Sequence, residues 1–141
     1  MNKLIETIDL TKVYGEKETS VTALNSITTA FNENQFTAIM GPSGSGKSTL
    51  LHCLAGLDKV TSGSILINGI DLASLNDKEL TKMRRDSFGF VFQAFNLIPT
   101  LTAEENITLP SSIAGRKPED EWVEQVIDAM DIGDRLGHRP N

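Results

Sequence analysis

The sequence predicts an α/β domain with a mixed sheet. Residues 5–10 alternate apolar and polar side chains, which is typical of a half-buried strand. A largely apolar run at 35–40 stops at a glycine-rich loop, and beyond Lys47 the apolar period becomes that of a helix. An antiparallel opening followed by strand–loop–helix units favours this fold class.

Strand signals recur as β-branched or apolar runs bounded by turn residues. The predicted strands cover 5–10, 21–31, 35–40, 63–69 and 88–92. Since the runs at 35–40 and 88–92 are apolar nearly throughout, both are predicted to be strands buried on two faces. Asn68-Gly69 predicts a tight turn after the fourth strand.

Four helices are predicted from capping residues and apolar period. They begin at Lys47, near Asn76, near Thr102 and near Pro118. The first stops near Gly56, the second near Arg85, and Pro110 is predicted to end the third. Glu79 and Glu105 follow their cap residues at capping-box spacing. The last helix carries an apolar stripe of Trp122, Val123, Val126, Ile127 and Met130.

Composition and charge exclude several classes of protein. Hydrophobic residues make up 39% of the 141 residues and charged residues 23%, which indicates a folded rather than a disordered chain. The net charge of −6 gives no broad attraction for a nucleic-acid backbone, so no nucleic-acid partner is expected. The absence of a long apolar run and of a signal peptide, with one cysteine, predicts a cytoplasmic protein.

One segment carries a complete chemical motif. The run Gly41-Pro42-Ser43-Gly44-Ser45-Gly46-Lys47-Ser48 matches the phosphate-binding pattern G-x-x-x-x-G-K-[ST] at every fixed position. The glycines allow backbone N–H groups to turn inward as an anion nest, and the following helix adds its N-terminal dipole. Lys47 offers an ammonium to the β- and γ-phosphates, and the Ser48 hydroxyl can bind Mg²⁺. A glycine-serine loop with a solvated lysine is the alternative interpretation.

The flanking residues separate the families that share this loop. They are Leu10-Thr11-Lys12-Val13-Tyr14-Gly15, Gly41 to Thr49, Leu54-Ala55-Gly56-Leu57, Ser62-Gly63-Ser64-Ile65, Asn68-Gly69 and the stretch from Arg84 to Pro99. With these residues the chain resembles the ATP-binding subunit of ABC transporters. The similarity is to the subgroup for macrolide efflux, lipoprotein release and antimicrobial-peptide export. An Asn-Lys-x-Asp motif, expected of a GTPase, does not occur, and a small nucleotide kinase remains as an alternative.

The resemblance implies a P-loop NTPase fold: an ABC ATPase core with an antiparallel β subdomain and the start of the helical subdomain. Residues 1–110 would form the core and β subdomain, and residues 111–141 would begin the helical one. ATP would be held by Tyr14, as a stacking platform for adenine, and by Gly41, Pro42, Ser43, Gly44, Ser45, Gly46, Lys47, Ser48 and Thr49. Lys47 and Gln93 would be catalytic, and Ser48 and Gln93 would bind Mg²⁺.

The resemblance also implies partners and a place in the cell. The partners would be a transmembrane permease and a second nucleotide-binding subunit, on the inner face of the cell membrane. The family's Leu-Ser-Gly-Gly-Gln signature and its apolar strand ending in Asp-Glu do not occur in these 141 residues. An incomplete domain is therefore expected, with a nucleotide-binding fragment that lacks catalysis of its own as the alternative.

Other chemistry-bearing residues are predicted to pack rather than react. His52 and Cys53 are neighbours on the first helix, but two ligands do not make a metal site. Phe88, Phe90 and Phe92 are predicted to lie in the core because no basic groove accompanies them. Trp122 is likewise assigned to the apolar stripe of its helix.

Overall fold

The computed structural model describes residues 2–140. The chain forms two compact units that divide between Arg84 and Arg85, and each unit is described by itself. Within residues 2–140, no helix combines the length and the hydropathy that crossing a membrane requires.

The first unit is built on a four-stranded sheet. Its strands are β1 (Lys3–Tyr14), β2 (Val21–Asn32), β3 (Ser62–Ile67) and β4 (Ile70–Asp71). The strand order is β2-β1-β3-β4, and every neighbouring pair is antiparallel. The strand predictions at 5–10, 21–31 and 63–69 are confirmed. Asn68 and Gly69 have φ values of 49° and 78°, so they form the left-handed turn that joins β3 to β4.

A bulge in β1 shifts the register of this strand against both of its neighbours, β2 and β3. The register of β1 against β2 shifts between Thr7 and Leu10, and Asp9 has a φ of 47°. Gly63 of β3 has a φ of +82°, and a Cβ at this position would lie 2.4 Å from the Asp9 carbonyl oxygen. Only glycine fits this close approach of two strands.

The helices of this unit follow the predicted capping signals. Helix α1 covers Lys47–Leu54, and α2 covers Asp77–Ser87, passing through the division between the units. The Asn76 side chain accepts from the backbone N–H of Glu79 at 3.0 Å, and the Glu79 carboxylate accepts from the N–H of Asn76 at 3.0 Å. The predicted capping box of α2 is therefore confirmed.

The core of the first unit lies between α1 and the sheet. Its buried apolar residues are Leu10, Leu24, Leu50, Cys53, Leu54, Ala55, Ile65 and Ile67. Cys53 is completely buried, and burial raises the pKa of its thiol. The prediction that Cys53 is a packing residue is confirmed, and no group of three potential metal ligands occurs within residues 2–140.

The second unit contains α3 (Ala103–Ile113) and α4 (Asp120–Met130). Thr102 and Glu105 form the predicted capping box at the start of α3. The prediction that Pro110 ends this helix is wrong. Proline lacks an N–H but keeps its carbonyl, and that of Pro110 accepts from the N–H of Ala114 at 3.1 Å, so the helix completes one more turn.

The apolar stripe of α4 is only partly buried. Ile127 is buried and Val123 and Val126 are half-buried, as predicted. Trp122 and Met130 are 63% and 65% exposed, so their assignment to a packed stripe is wrong for the part of the chain described. They lie at the two ends of the helix, where no described segment covers them.

Two predicted strands and the mixed sheet are absent. Residues 35–40 and 88–92 adopt no regular structure, and within residues 2–140 the sheet is entirely antiparallel. Phe36 is 99% exposed and Val91 is 95% exposed. An apolar run becomes a strand only when a neighbouring strand takes up its backbone hydrogen bonds, and no described strand does so here. Phe92 is exposed as well, and Phe88 and Phe90 are half-buried, so the predicted phenylalanine core is wrong.

Candidate functional site

The glycine-rich loop occupies residues 41–46 and leads directly into α1. Gly44 and Gly46 have φ values of +78° and +87°, in the left-handed region that glycine adopts without strain. A Cβ on Gly46 would lie 2.4 Å from the carbonyl oxygen of Ala23 in β2. The loop is therefore held against the sheet at Gly46, whereas a Cβ on Gly44 would meet no atom within 4 Å.

The N-terminus of α1 presents backbone donors. Gly46 is the N-cap residue and has no side chain that could accept from the first turn. The N–H groups of this turn have no partner within the helix, and the helix dipole adds partial positive charge at the same point. The sequence thus places a helix start with partial positive charge directly after a glycine-rich loop, an arrangement that suits an anion.

The Lys47 ammonium lies over this cradle. Its Nζ donates to the carbonyl oxygens of Gly41 at 2.9 Å and Pro42 at 2.8 Å, and lies 3.5 Å from Ser45 Oγ. Within residues 2–140 no carboxylate pairs with this ammonium, so its charge is balanced only by carbonyl dipoles. A phosphate oxygen is a stronger acceptor than either carbonyl.

The hydroxyl residues of the site differ in their surroundings. Ser43 and Ser48 are exposed, and Ser48 lies in the first turn of α1, where its hydroxyl is open to solvent. Thr49 is half-buried and lies close to the hydroxyl of Tyr14. The exposed hydroxyl suits a hard cation such as Mg²⁺, which prefers oxygen ligands and keeps several waters.

Tyr14 lies at the end of β1, close to the start of α1 through its contact with Thr49. Its side chain is half-exposed, and its hydroxyl donates to Asp58 Oδ2. The Nζ of Lys12 lies over the ring, 4.6 Å from its centroid, and donates to Asp58 Oδ1 at 2.6 Å. We call Lys12, Tyr14 and Asp58 the Tyr14 cluster.

The three groups of the Tyr14 cluster shift one another's protonation. The hydrogen bond from Lys12, reinforced by that from Tyr14, lowers the pKa of Asp58 below its ordinary value. The hydrogen bond to Asp58 raises the pKa of Lys12, and it raises the pKa of Tyr14 against a smaller opposite effect of Thr49. Near neutral pH the cluster is therefore an ion pair with a neutral phenol.

The structure brings together most of the residues predicted for the site. Tyr14, the loop residues, Lys47, Ser48 and Thr49 all belong to the first unit. Gln93 belongs to the second unit, in an exposed segment without regular structure. The strand predicted to position Gln93 is not formed.

Sequence reasoning missed Lys12 and Asp58. Lys12 follows Leu10 on the buried face of β1, and a lysine on that face requires an acidic partner. The alternation of buried and exposed positions along β1 could therefore have identified Lys12 as a residue with an acidic partner. Asp58 lies 46 residues further along the chain, and no local pattern connects it to Lys12.

Comparison with known proteins identifies the family. Residues 24–141 match the ABC transporter family. The chain belongs to this family. Its relatives include the macrolide export ATP-binding/permease protein MacB of Marinobacter nauticus, which is 45% identical over 139 residues. The lipoprotein-releasing system ATP-binding protein LolD of Geobacter metallireducens is 42% identical over 142 residues.

A solved ABC structure shares the fold. The ATP-binding cassette MJ0796 of Methanocaldococcus jannaschii, a dimer in a post-hydrolysis state bound to ADP and Pi, superposes with a TM-score of 0.83 at 40% identity. The match covers 97% of this chain and 62% of that one. The chain also spans 22% of the MacB relative and 63% of the LolD relative, each less than two thirds.

These matches confirm the resemblance inferred from the motifs, including its macrolide-efflux and lipoprotein-release members. They also confirm the ABC ATPase fold class with its antiparallel β subdomain. The roles of individual ABC site residues stay predictions.

Proposed function

We propose that this chain is the ATP-binding part of an ABC transporter ATPase, which couples binding and hydrolysis of Mg²⁺-ATP to a membrane permease. One observation carries the proposal: the Lys47 ammonium lies over a glycine loop at an uncapped helix N-terminus. Backbone donors, the helix dipole and a cation that pairs with no carboxylate of residues 2–140 converge there, which is the arrangement that binds a polyphosphate.

The chain's own residues would divide the work of binding. Lys47 would exchange its carbonyl acceptors at Gly41 and Pro42 for oxygens of the β- and γ-phosphates. The N–H groups of residues 44–49 would hold the remaining phosphate oxygens, with the small side chains of Pro42, Ser43 and Ser45 lining the loop. Tyr14 would offer its half-exposed ring to the adenine.

Hydrolysis requires, in addition to nucleotide binding, a metal ion and an oriented water molecule. Mg²⁺, when bound, neutralises charge that develops on the phosphates. We propose that the exposed hydroxyl of Ser48 and the side-chain oxygen of Gln93 are its protein ligands, and that Gln93 also orients the attacking water. Lys47 would stabilise the negative charge of the transferred phosphoryl group, so both Lys47 and Gln93 are assigned catalytic roles.

The proposed partners follow from the family. MacB is named as an ATP-binding/permease protein, and the MJ0796 cassette is a dimer. We propose that this chain likewise works with a transmembrane permease and a second nucleotide-binding subunit, at the inner face of the cell membrane. The functional division into a core of residues 1–110 and the start of a helical subdomain at 111–141 belongs to the same proposal.

Nucleotide binding is tested by titrating the protein with a non-hydrolysable ATP analogue and Mg²⁺ in a calorimeter. Lys47→Ala is expected to weaken binding at least tenfold, because a hydrogen bond between two charged groups contributes roughly 1.5–3 kcal/mol. Lys82→Ala is the matched control: it removes the same charge from an exposed position of α2 and should leave binding unchanged.

Two results would contradict the proposal. Equal heats from the wild type and Lys47→Ala, with both proteins folded, would remove Lys47 from the site. Equal losses from Lys47→Ala and Lys82→Ala would indicate a general charge effect rather than a phosphate-binding loop.

A further inference from the structure

Asp58 joins two residues that reach it from the same strand. Lys12 and Tyr14 lie two positions apart on β1, so their side chains leave the same face of the strand. Lys12 donates to one carboxylate oxygen of Asp58, and Tyr14 donates to the other. A single carboxylate therefore fixes the phenol ring and the ammonium that lies over it.

Asp58 is itself held by the backbone around it. Asp58 lies beyond the end of α1, and its N–H donates to the carbonyl of His52 in that helix at 3.3 Å. Three residues later, Thr61 accepts from the N–H of Val13 at 2.9 Å through its hydroxyl, and its own N–H donates to the Thr11 carbonyl at 2.9 Å. The segment 58–61 is thus fastened to the end of β1 by backbone as well as by side chains.

The cluster leaves the Tyr14 ring with two different faces. Lys12 Nζ lies over one face at 4.6 Å from the centroid and is held there by Asp58 Oδ1 and the Lys59 carbonyl, both at 2.6 Å. The Lys12 side chain is only 11% exposed, whereas Tyr14 remains 41% exposed. A flat partner can therefore stack only on the other face.

We propose that Lys12 and Asp58 are positioning residues for base stacking: they clamp the Tyr14 ring by its hydroxyl and one face, and so present the opposite face to the purine of a bound nucleotide. This inference rests on the proposed ATP-binding function. A ring that is already fixed loses little conformational freedom when the base stacks on it, so its position contributes directly to affinity.

The same geometry limits how the base is recognised. Because the Tyr14 hydroxyl donates its proton to Asp58, it cannot also donate to the edge of the base. Stacking on the ring does not by itself distinguish one base from another, since every base has a stacking face.

The test compares a ligand with a base and a ligand without one. The dissociation constants of a non-hydrolysable ATP analogue and of inorganic tripolyphosphate, each with Mg²⁺, are measured by calorimetry for the wild type, Tyr14→Ala, Asp58→Asn and Lys12→Met. The controls Glu18→Gln and Lys17→Met remove charges of the same signs at exposed positions three and four residues after Tyr14 in the sequence.

The wild type should bind the nucleotide analogue more tightly than tripolyphosphate. Tyr14→Ala should remove this advantage, which stacking energies put at about fivefold to about 150-fold. Asp58→Asn and Lys12→Met should each reduce the advantage by about threefold to tenfold and leave the affinity for tripolyphosphate unchanged. The two controls should leave both affinities unchanged.

Other results overturn the proposal in distinguishable ways. An undiminished advantage in Asp58→Asn and Lys12→Met shows that the clamp does not position the ring. Equal weakening of both ligands shows a structural role of the ion pair only. Failure of the wild type to bind either ligand rejects the proposed function and the inference with it, whereas equal wild-type binding of both ligands rejects only the role of the base.

A second measurement needs no ligand. Tyr14 is the only tyrosine of the sequence, so ultraviolet titration of tyrosinate reports its ionisation alone. Asp58→Asn should move this titration to lower pH, and Glu18→Gln should not. An unchanged Tyr14 titration in folded Asp58→Asn would show that the clamp is not formed in solution.

Discussion

At the scale of single residues, Gly46 determines where the phosphate-binding loop lies. Its φ is +87°, and a Cβ added to it would lie 2.4 Å from the Ala23 carbonyl oxygen, so no side chain fits there. Gly46→Ala should therefore destabilise the protein by about 2–4 kcal/mol, from left-handed strain plus the clash with β2. Urea unfolding measures the difference.

Gly44→Ala is the matched control for that prediction. Gly44 has a similar φ of +78°, but a Cβ there meets nothing within 4 Å. This substitution should cost only the strain, about 1–2 kcal/mol. Equal destabilisation by the two substitutions would show that the close approach to Ala23 is relieved at no cost.

The Asp58 carboxylate gives the stability a dependence on pH with a definite sign. Its pKa is lower in the folded protein, so its contribution is fully present above the ordinary carboxyl pKa and is lost as the pH falls through the folded value. The difference in unfolding free energy between the wild type and Asp58→Asn should be constant near neutral pH and should shrink below about pH 4. A difference that persisted unchanged in acid would contradict the ion pair with Lys12.

The candidate site was predictable where its chemistry is local and unpredictable where it is not. The loop from Gly41 to Ser48 is one continuous motif, so the sequence reveals both its backbone freedom and its cation. The pairing of Lys12 with Asp58 depends on the antiparallel sheet and on the turn after α1, and neither residue carries a motif. Gln93 was proposed on the family pattern, and the strand predicted to precede it at 88–92 is not formed.

At the scale of elements, the cap of α2 accounts for the start of that helix. The Asn76 side chain accepts from the N–H groups of Lys78 and Glu79 at 3.1 and 3.0 Å. Asn76→Ala should destabilise the protein by about 1 kcal/mol, while Asn76→Ser keeps an acceptor and should be nearly neutral. Thermal unfolding checks the order, and a serine variant as unstable as the alanine variant would contradict the capping role.

Helix starts were predicted better than strands because their signals are complete within a few residues. Asn76 with Glu79, and Thr102 with Glu105, satisfy each other's backbone groups without outside help. Residues 35–40 and 88–92 have equally clear apolar runs, but a strand needs a hydrogen-bonding neighbour that the run itself does not specify. The strands that did form, β1, β2 and β3, find antiparallel neighbours within the first unit.

At the scale of the whole molecule, the division between the two units carries no sequence signal. It falls between Arg84 and Arg85, inside α2, rather than in a linker rich in glycine, proline or serine. The sequence of α2 predicts one continuous helix, so neither its composition nor its hydrophobic period indicates a division at this point.

Acidic charge is concentrated in residues 118–134, which hold seven acids and no base, all within the second unit.

The rate at which the buried thiol of Cys53 is alkylated reports how often the core of the first unit opens. Cys53 is 0% exposed and is the only cysteine of the sequence, so an alkylating reagent can modify the native protein once, and only after the core around α1 separates from the sheet. Alkylation of Cys53 should be far slower in the native protein than in the protein unfolded in urea. A nucleotide analogue present at 100 times its dissociation constant should slow the alkylation of the native protein about 100-fold further. Mass spectrometry follows the fraction of modified protein. Labelling of the native protein as fast as that of the denatured chain would contradict the burial of Cys53. If tripolyphosphate slows the labelling as well, occupation of the loop is by itself enough to restrain the core.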